Sequence, residues 1–200
     1  MGHYFDEQPG TPSMPRDVEL RLPDMTVTLA TDRGVFGYAQ IDAGSKLLLL
    51  KAPAPPQTGD LLDLGCGVGT LSIPMARRAP DATVWAVDVN SRARDLCQAN
   101  AVANKSGNLH VAAPAEIAED IRFECIWSNP PIRIGKPALH LMLTTWLTRL
   151  TVGGYAVMVV HRHLGGDSLQ RWLIEQGFPT ERLASSSGYR ILLSRGTNPA

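Results

Sequence analysis

Asp63-Leu64-Gly65-Cys66-Gly67-Val68-Gly69-Thr70 decides the fold. An apolar run at 61–64 meets three glycines at alternate positions and passes into a helix-like segment at 70–79. Glycine permits a tight strand-to-helix turn and lets a ligand lie against bare backbone. The same turn would also serve simply to pack a helix onto a sheet. Beyond the loop, strand-like apolar runs recur at 83–89, 109–113, 123–128 and 155–161. Helix-like segments at 91–102 and 137–150 fall between them, and a further helix is expected at 167–176. In the segment 137–150, Leu139, Met142, Leu143, Trp146, Leu147 and Leu150 share one helical face. Pro137 suits its first turn, and Gly153-Gly154 is expected to end it. A strand pair at 182–186 and 189–195 turns about Gly188. Strands alternating with helices predict an α/β fold, a seven-stranded, mostly parallel sheet with helices on both faces.

Upstream, residues 1–17 hold Pro9, Pro12 and Pro15 without periodicity and read as an arm. Runs at 18–22 and 25–30 alternate around Pro23-Asp24 and read as a β-hairpin. A short helix is expected at 46–51, then a Pro-rich loop at 52–58. The expected division is an arm, hairpin and helix (1–51) packed on a catalytic core (52–200), one domain overall.

With 200 residues, 44% hydrophobic and 19% charged, the composition is that of a soluble globular domain. No apolar stretch is long enough to span a bilayer, and the polar, acidic start is no secretory signal. Cys66, Cys97 and Cys125 are scattered and form no CxxC pair, so neither a disulfide framework nor a zinc site is suggested. A reducing cytoplasm is the default. A net charge of zero argues against tight non-specific nucleic-acid binding but is compatible with a local basic rim.

Sheets of this kind bind ligands at the carboxyl ends of their strands. The candidate site is therefore the set of strand ends: 63–69, Asp88, 113–116, 129–131 and 161–163. Asp88 closes Val84-Trp85-Ala86-Val87, where a carboxylate can accept hydrogen bonds from both hydroxyls of a ribose. It would equally serve as a helix cap. The glycine spacing departs from the dinucleotide form G-x-G-x-x-G, and no Tyr-x-x-x-Lys pair supports a short-chain dehydrogenase.

Ser128-Asn129-Pro130-Pro131-Ile132 is the decisive feature, with a Pro-Pro loop that merely punctuates a strand as the competing reading. An aromatic amine is a poor nucleophile because its lone pair is delocalised into the ring. Two acceptors on its N–H bonds pull it toward a tetrahedral nitrogen and aim the lone pair. The Asn129 side-chain oxygen and the Pro130 carbonyl can supply them. Pro130 and Pro131 have no N–H, so no backbone donor is expected to compete there. Their rings stiffen the acceptors, a form of preorganisation.

These motifs resemble those of the class I S-adenosylmethionine-dependent methyltransferases, with a Rossmann-like fold. The resemblance extends to the "methyltransferase small domain" group and, within it, the small-subunit ribosomal RNA guanine-N2 methyltransferases. It covers nearly the whole chain, through His3-Tyr4-Phe5, Thr31-Asp32-Arg33-Gly34-Val35-Phe36, Asp42-Ala43-Gly44-Ser45-Lys46-Leu47-Leu48 and Gly188-Tyr189-Arg190. It implies S-adenosyl-L-methionine as cofactor and RNA as partner. By that resemblance Asp63, Gly65 and Gly67 would hold the methionine part and Asp88 the ribose. Cys66, Gly69, Val89, Ala115 and Asn129 would complete the cofactor contacts. Asn129 and Pro130, with Pro131 and Ile132, would receive the target amine.

Three departures stand out. The third strand usually ends in an acid that contacts the adenine; here Ala113-Pro114-Ala115 stands there, with Glu116 beyond. Related N–P–P motifs often end in an aromatic that stacks on the target base; here it is Ile132. The second, N-terminal methyltransferase-like domain of some members does not fit in 200 residues, which leaves substrate recognition to the arm, hairpin and rim.

That rim is expected to include Arg133, Lys136, His161 and Arg162, with His140 and His163 near, and would meet phosphates around an extruded base. Ordinary solvated charge is the competing reading. His161-x-His163 has no further ligand cluster beside it, so no metal is expected. Adenine N6, a protein glutamine amide, or a non-catalytic cofactor- or RNA-binding role remain the alternatives to guanine N2.

Overall fold

The computed structural model describes residues 10–196; His3-Tyr4-Phe5 and the first half of the expected arm lie outside them. The chain opens with a hairpin, β1 (Arg16–Arg21) and β2 (Thr26–Thr31), followed by α1 (Ala43–Lys51). The main sheet takes β3 (Asp60–Leu64), β4 (Thr83–Val87), β5 (Leu109–Ala112), β6 (Phe123–Ser128), β7 (Leu150–His161), β8 (Thr180–Ser186) and β9 (Tyr189–Arg195). Its helices are α2 (Ser72–Arg78), α3 (Ser91–Ala103), α4 (Lys136–Leu147) and α5 (Gly166–Glu175).

The strand order is β5-β4-β3-β6-β7-β9-β8. The first five strands run parallel, and β9 enters antiparallel between β7 and β8. The chain winds outward from β3 to β5, then crosses back to place β6 on the other side of β3. This reversal is the switch point at which such sheets open a crevice. Register pairs Leu64 with Ser128, so the glycine loop and the Asn-Pro-Pro turn leave adjacent strand ends.

Burial follows the pleat. Leu61, Cys125, Trp127, Val157 and Ile191 face a layer shared with α1, α2, α3 and the hairpin. Their neighbours Leu62, Ile126, Met158 and Leu192 face the layer of α4 and α5. Each fully buried leucine contributes about 1.5–3 kcal/mol, so continuous apolar runs hold both layers to the sheet. The hairpin is stitched to the core through Asn100 of α3. The Asn100 side chain accepts from the Ala30 N–H (2.8 Å) and donates to the carbonyls of Ala30 and Val68 (both 2.9 Å).

Several boundaries differ from the sequence reading by a few residues, and two of the differences have a clear physical reason. α1 begins three residues earlier than position 46, because Asp42 caps it by accepting the Ser45 N–H at 2.8 Å. Gly153-Gly154 does not end the helix α4. That helix stops at Leu147, and both glycines lie inside β7. There the pairing with β6 jumps from Phe123↔Leu150 to Cys125↔Tyr155, so four residues of β7 bulge opposite Glu124 alone.

Candidate active site

The glycine loop is fastened to β4: the N–H groups of Gly65 and Cys66 both donate to the Val87 carbonyl, at 2.8 and 3.0 Å. Asp88 follows directly. Its carboxylate accepts from the Gly67 N–H and the Asn90 N–H, each at 2.9 Å. Burial pushes the Asp88 carboxyl up, against these N–H donors, which favour the charged form. Gly65 has φ +79°, and a Cβ there would meet no atom within 4 Å, so bare backbone faces open space. Gly69 serves packing instead: a Cβ would come within 3.0 Å of Ile73 and 3.2 Å of Cys97.

That open space is a cavity of about 550 Å³, a volume suited to a small-molecule site. Of the residues expected at the site, Gly65, Gly67, Asp88, Val89, Asn129, Pro130, Pro131 and Ile132 line it, with Arg133 and His161 at its rim. The others stand elsewhere. Asp63 is buried behind the loop, where Oδ2 accepts from the Ser72 hydroxyl at 2.6 Å and Oδ1 meets no donor among the described residues. Burial raises its carboxyl to about 7, with the Ser72 hydrogen bonds opposing. Cys66 and Gly69 are likewise behind the wall. Ala115 is exposed, and Pro114 takes its place on the wall. Glu116 turns back to accept the Ala113 N–H at 2.6 Å.

Opposite the glycine loop, both amide hydrogens of Asn129 are engaged: Nδ2 donates to Asp42 Oδ1 at 2.8 Å and to the Ser45 hydroxyl at 2.9 Å. An ionised carboxylate only accepts. The end of the amide against Asp42 must therefore be the NH₂, which leaves Oδ1 as the unengaged end. The Pro130 carbonyl is not free of backbone donors as the sequence suggests. It accepts from the Ile132 N–H at 2.8 Å, closing a tight turn at Pro131. A carbonyl has two lone pairs, so one acceptor position remains.

The expected basic rim divides. Lys136 and Arg162 do not line the cavity. Arg162 Nε donates to His163 Nε2 at 3.0 Å. His140 stacks on Trp172 at 3.7 Å and 11°, outside the cavity, and burial and then the Lys136 charge hold it below its ordinary value. His161 meets the Tyr189 ring edge-on at 5.0 Å. Among the described residues no group of three or more His, Cys, Asp or Glu is placed to hold a metal, and no helix is long and apolar enough to cross a membrane.

Sequence reasoning assigned no site role to Asp42, Phe36, Met142, Trp146, Leu164 or Tyr189, all of which line the cavity. Asp42 carried a signal in Asp42-x-x-Ser45, a helix-start pattern, but that pattern speaks of a cap and not of Asn129. Met142 and Trp146 sit on the core stripe of α4, where periodicity cannot separate packing from lining.

A doubly wound sheet with a glycine loop, an acid at the next strand end and an Asn-Pro-Pro turn at its switch point is a Rossmann-like methyltransferase architecture. The family model described as methyltransferase small domain matches residues 26–193, and the chain belongs to that family. It is 30% identical over 196 residues to the uncharacterized protein YbxB of Bacillus subtilis, covering 96% of this chain and 98% of that one. It is 32% identical over 151 residues to ribosomal RNA small subunit methyltransferase C of Shewanella halifaxensis, covering 73% of this chain and 43% of that one. Among solved structures, the T. thermophilus 16S rRNA N2 G1207 methyltransferase, in complex with AdoMet and guanosine, superposes with a TM-score of 0.77 at 26% identity. The match covers 94% of this chain and 52% of that one. The chain thus spans about half the length of the ribosomal RNA methyltransferases it matches.

Proposed function

We propose that this protein transfers a methyl group from S-adenosylmethionine to guanine N2 of ribosomal RNA, in the cytoplasm. The observation that carries the reading is the fixed Asn129 amide. Its hydrogens are committed to Asp42 and Ser45, so its oxygen is left beside the Pro130 carbonyl on the wall of the cavity.

The cofactor fits what is present. A side chain at position 65 would occupy the open cradle, and Asp88 offers charged oxygens to vicinal hydroxyls beside it. Bound S-adenosylmethionine supplies an electrophilic methyl on a sulfonium sulfur. Asn129 Oδ1 and the Pro130 carbonyl accept the two N–H bonds of the target amine and set its lone pair toward that methyl. With that cofactor bound, the amine held by these acceptors would form the N–C bond as the S–C bond broke, and would release its extra proton to water. No metal and no strong base enter this scheme. Relatives named as small-subunit ribosomal RNA methyltransferases support RNA as the partner.

Adenine N6 or a glutamine amide would present an N–H₂ group to the same two acceptors. Mass spectrometry of ribosomal RNA nucleosides from cells with and without the protein separates these acceptors. Loss of N2-methylguanosine without the protein is the expected result; an unchanged nucleoside profile contradicts it.

A further inference from the structure

We propose that Asp42 reads the N1–H of the target guanine and thereby selects guanine over every other amino-bearing acceptor. The inference rests on the methyl-transfer reading above and deepens it.

The Asp42 carboxylate divides its two oxygens. Oδ1 is fully occupied: it accepts the Ser45 N–H at 2.8 Å, the Ser45 hydroxyl at 3.3 Å and the Asn129 amide at 2.8 Å. No hydrogen bond to Oδ2 occurs among the described residues, and Asp42 lines the same cavity as Asn129 and Pro130. A charged acceptor therefore stands directly beside the amide that receives the amine. Tight packing holds it there. A Cβ on Gly44 would come within 2.7 Å of the Tyr189 ring and 3.0 Å of Asp42 Oδ1, so only glycine admits this fit. Tyr189 lines the same cavity wall as Asp42.

The donor pattern of the acceptor then decides the outcome. In guanine the amino group is flanked by N1–H, a donor. In adenine it is flanked by N1, in cytosine by N3 and in a glutamine amide by the carbonyl oxygen, all acceptors. A carboxylate beside the amine-binding oxygens completes a donor row from guanine and opposes a lone pair from the others. A site built to accept a hydrogen bond rejects partners that lack the donor far more strongly than an apolar pocket does.

Asp42→Asn is the test. Asparagine caps helices as well as aspartate does, and its Oδ1 can keep the bonds to Ser45 and Asn129. Only Oδ2 becomes an NH₂. Nucleoside binding is measured by calorimetry with S-adenosylhomocysteine present, using guanosine, 1-methylguanosine, inosine and adenosine. The wild type should bind guanosine and inosine, which carry N1–H, about 10- to 100-fold more tightly than 1-methylguanosine and adenosine. Asp42→Asn should lose that margin while S-adenosylhomocysteine affinity and thermal midpoint stay put. Equal wild-type affinity for guanosine and 1-methylguanosine, or a margin that survives in Asp42→Asn, overturns the inference and leaves methyl transfer standing. Labelled methyl recovered on adenine or protein, measured separately, instead removes the guanine reading itself.

Discussion

On the proposed mechanism, Asn129→Ala takes away one of two acceptors for the amine, while Gly65 and Asp88, across the same cavity, are untouched. Single-turnover transfer should fall about 100-fold, with cofactor affinity nearly unchanged; equal rates would show the turn to be architecture only. Asn129→Asp keeps an acceptor oxygen, but its surroundings oppose the added charge. The new carboxylate would face Asp42 Oδ1 across the 2.8 Å now bridged by an N–H bond, and like charges that close repel. Asn129→Asp should therefore be no better than alanine at neutral pH. The placement of Asp88 and Asn129 at the cavity was legible because each stands in a motif at a strand end. The contact of Asp42 with Asn129 was not, since the two lie 87 residues apart and no local pattern announces it. Asp63 also reads differently in space: it is a buried carboxyl titrating near 7 in the fold against 3.8 in an open chain. Between those values the folded chain holds a proton that the unfolded chain has lost. Stability contributed at this group is thus present at acid pH, declines as pH rises from about 4 to about 7, and is level beyond. Urea unfolding of Asp63→Asn should show a flatter dependence across that window than the wild type. An identical slope would place the titration elsewhere.

Among the elements, the alternation of strands and helices was readable because the runs of β3 and β6 are apolar on both faces, as parallel strands in the middle of a sheet must be. The helix face of α4 was readable from its stripe, yet its end was not. Gly153-Gly154 has the composition of a helix stop, but Thr148 already closes α4 and β7 begins at Leu150. The glycines are needed by the bulge: Gly153 has φ +86°, and a Cβ on Gly154 would come within 2.9 Å of the Phe123 carbonyl and 2.8 Å of the Thr151 hydroxyl. Bulge and helix stop both want a glycine at positive φ, so composition alone cannot distinguish them. Gly154→Ala should cost about 1–3 kcal/mol of folding stability, read from denaturant midpoints, with cofactor affinity preserved. A midpoint equal to the wild type would mean that β7 accommodates the methyl by sliding.

At the scale of the whole molecule, a net charge of zero means that the proposed RNA binding would depend on local cations rather than on the overall charge. Arg133 is at the cavity mouth, whereas Lys136 and Arg162 stand off it. Neutralising Arg133 should weaken RNA binding and flatten its salt dependence by close to one phosphate contact, with smaller effects at the other two. An unchanged slope would make Arg133 ordinary solvated charge. The proposed transfer stands or falls on its acceptor, so the most direct test is the identity of the methylated atom. The protein is incubated with methyl-labelled S-adenosylmethionine and unmodified small-subunit ribosomal RNA, and the RNA is digested to nucleosides and resolved by mass spectrometry. Label in N2-methylguanosine, appearing about 100-fold more slowly in Asn129→Ala, is the predicted result; label in any other nucleoside, or none, contradicts the account.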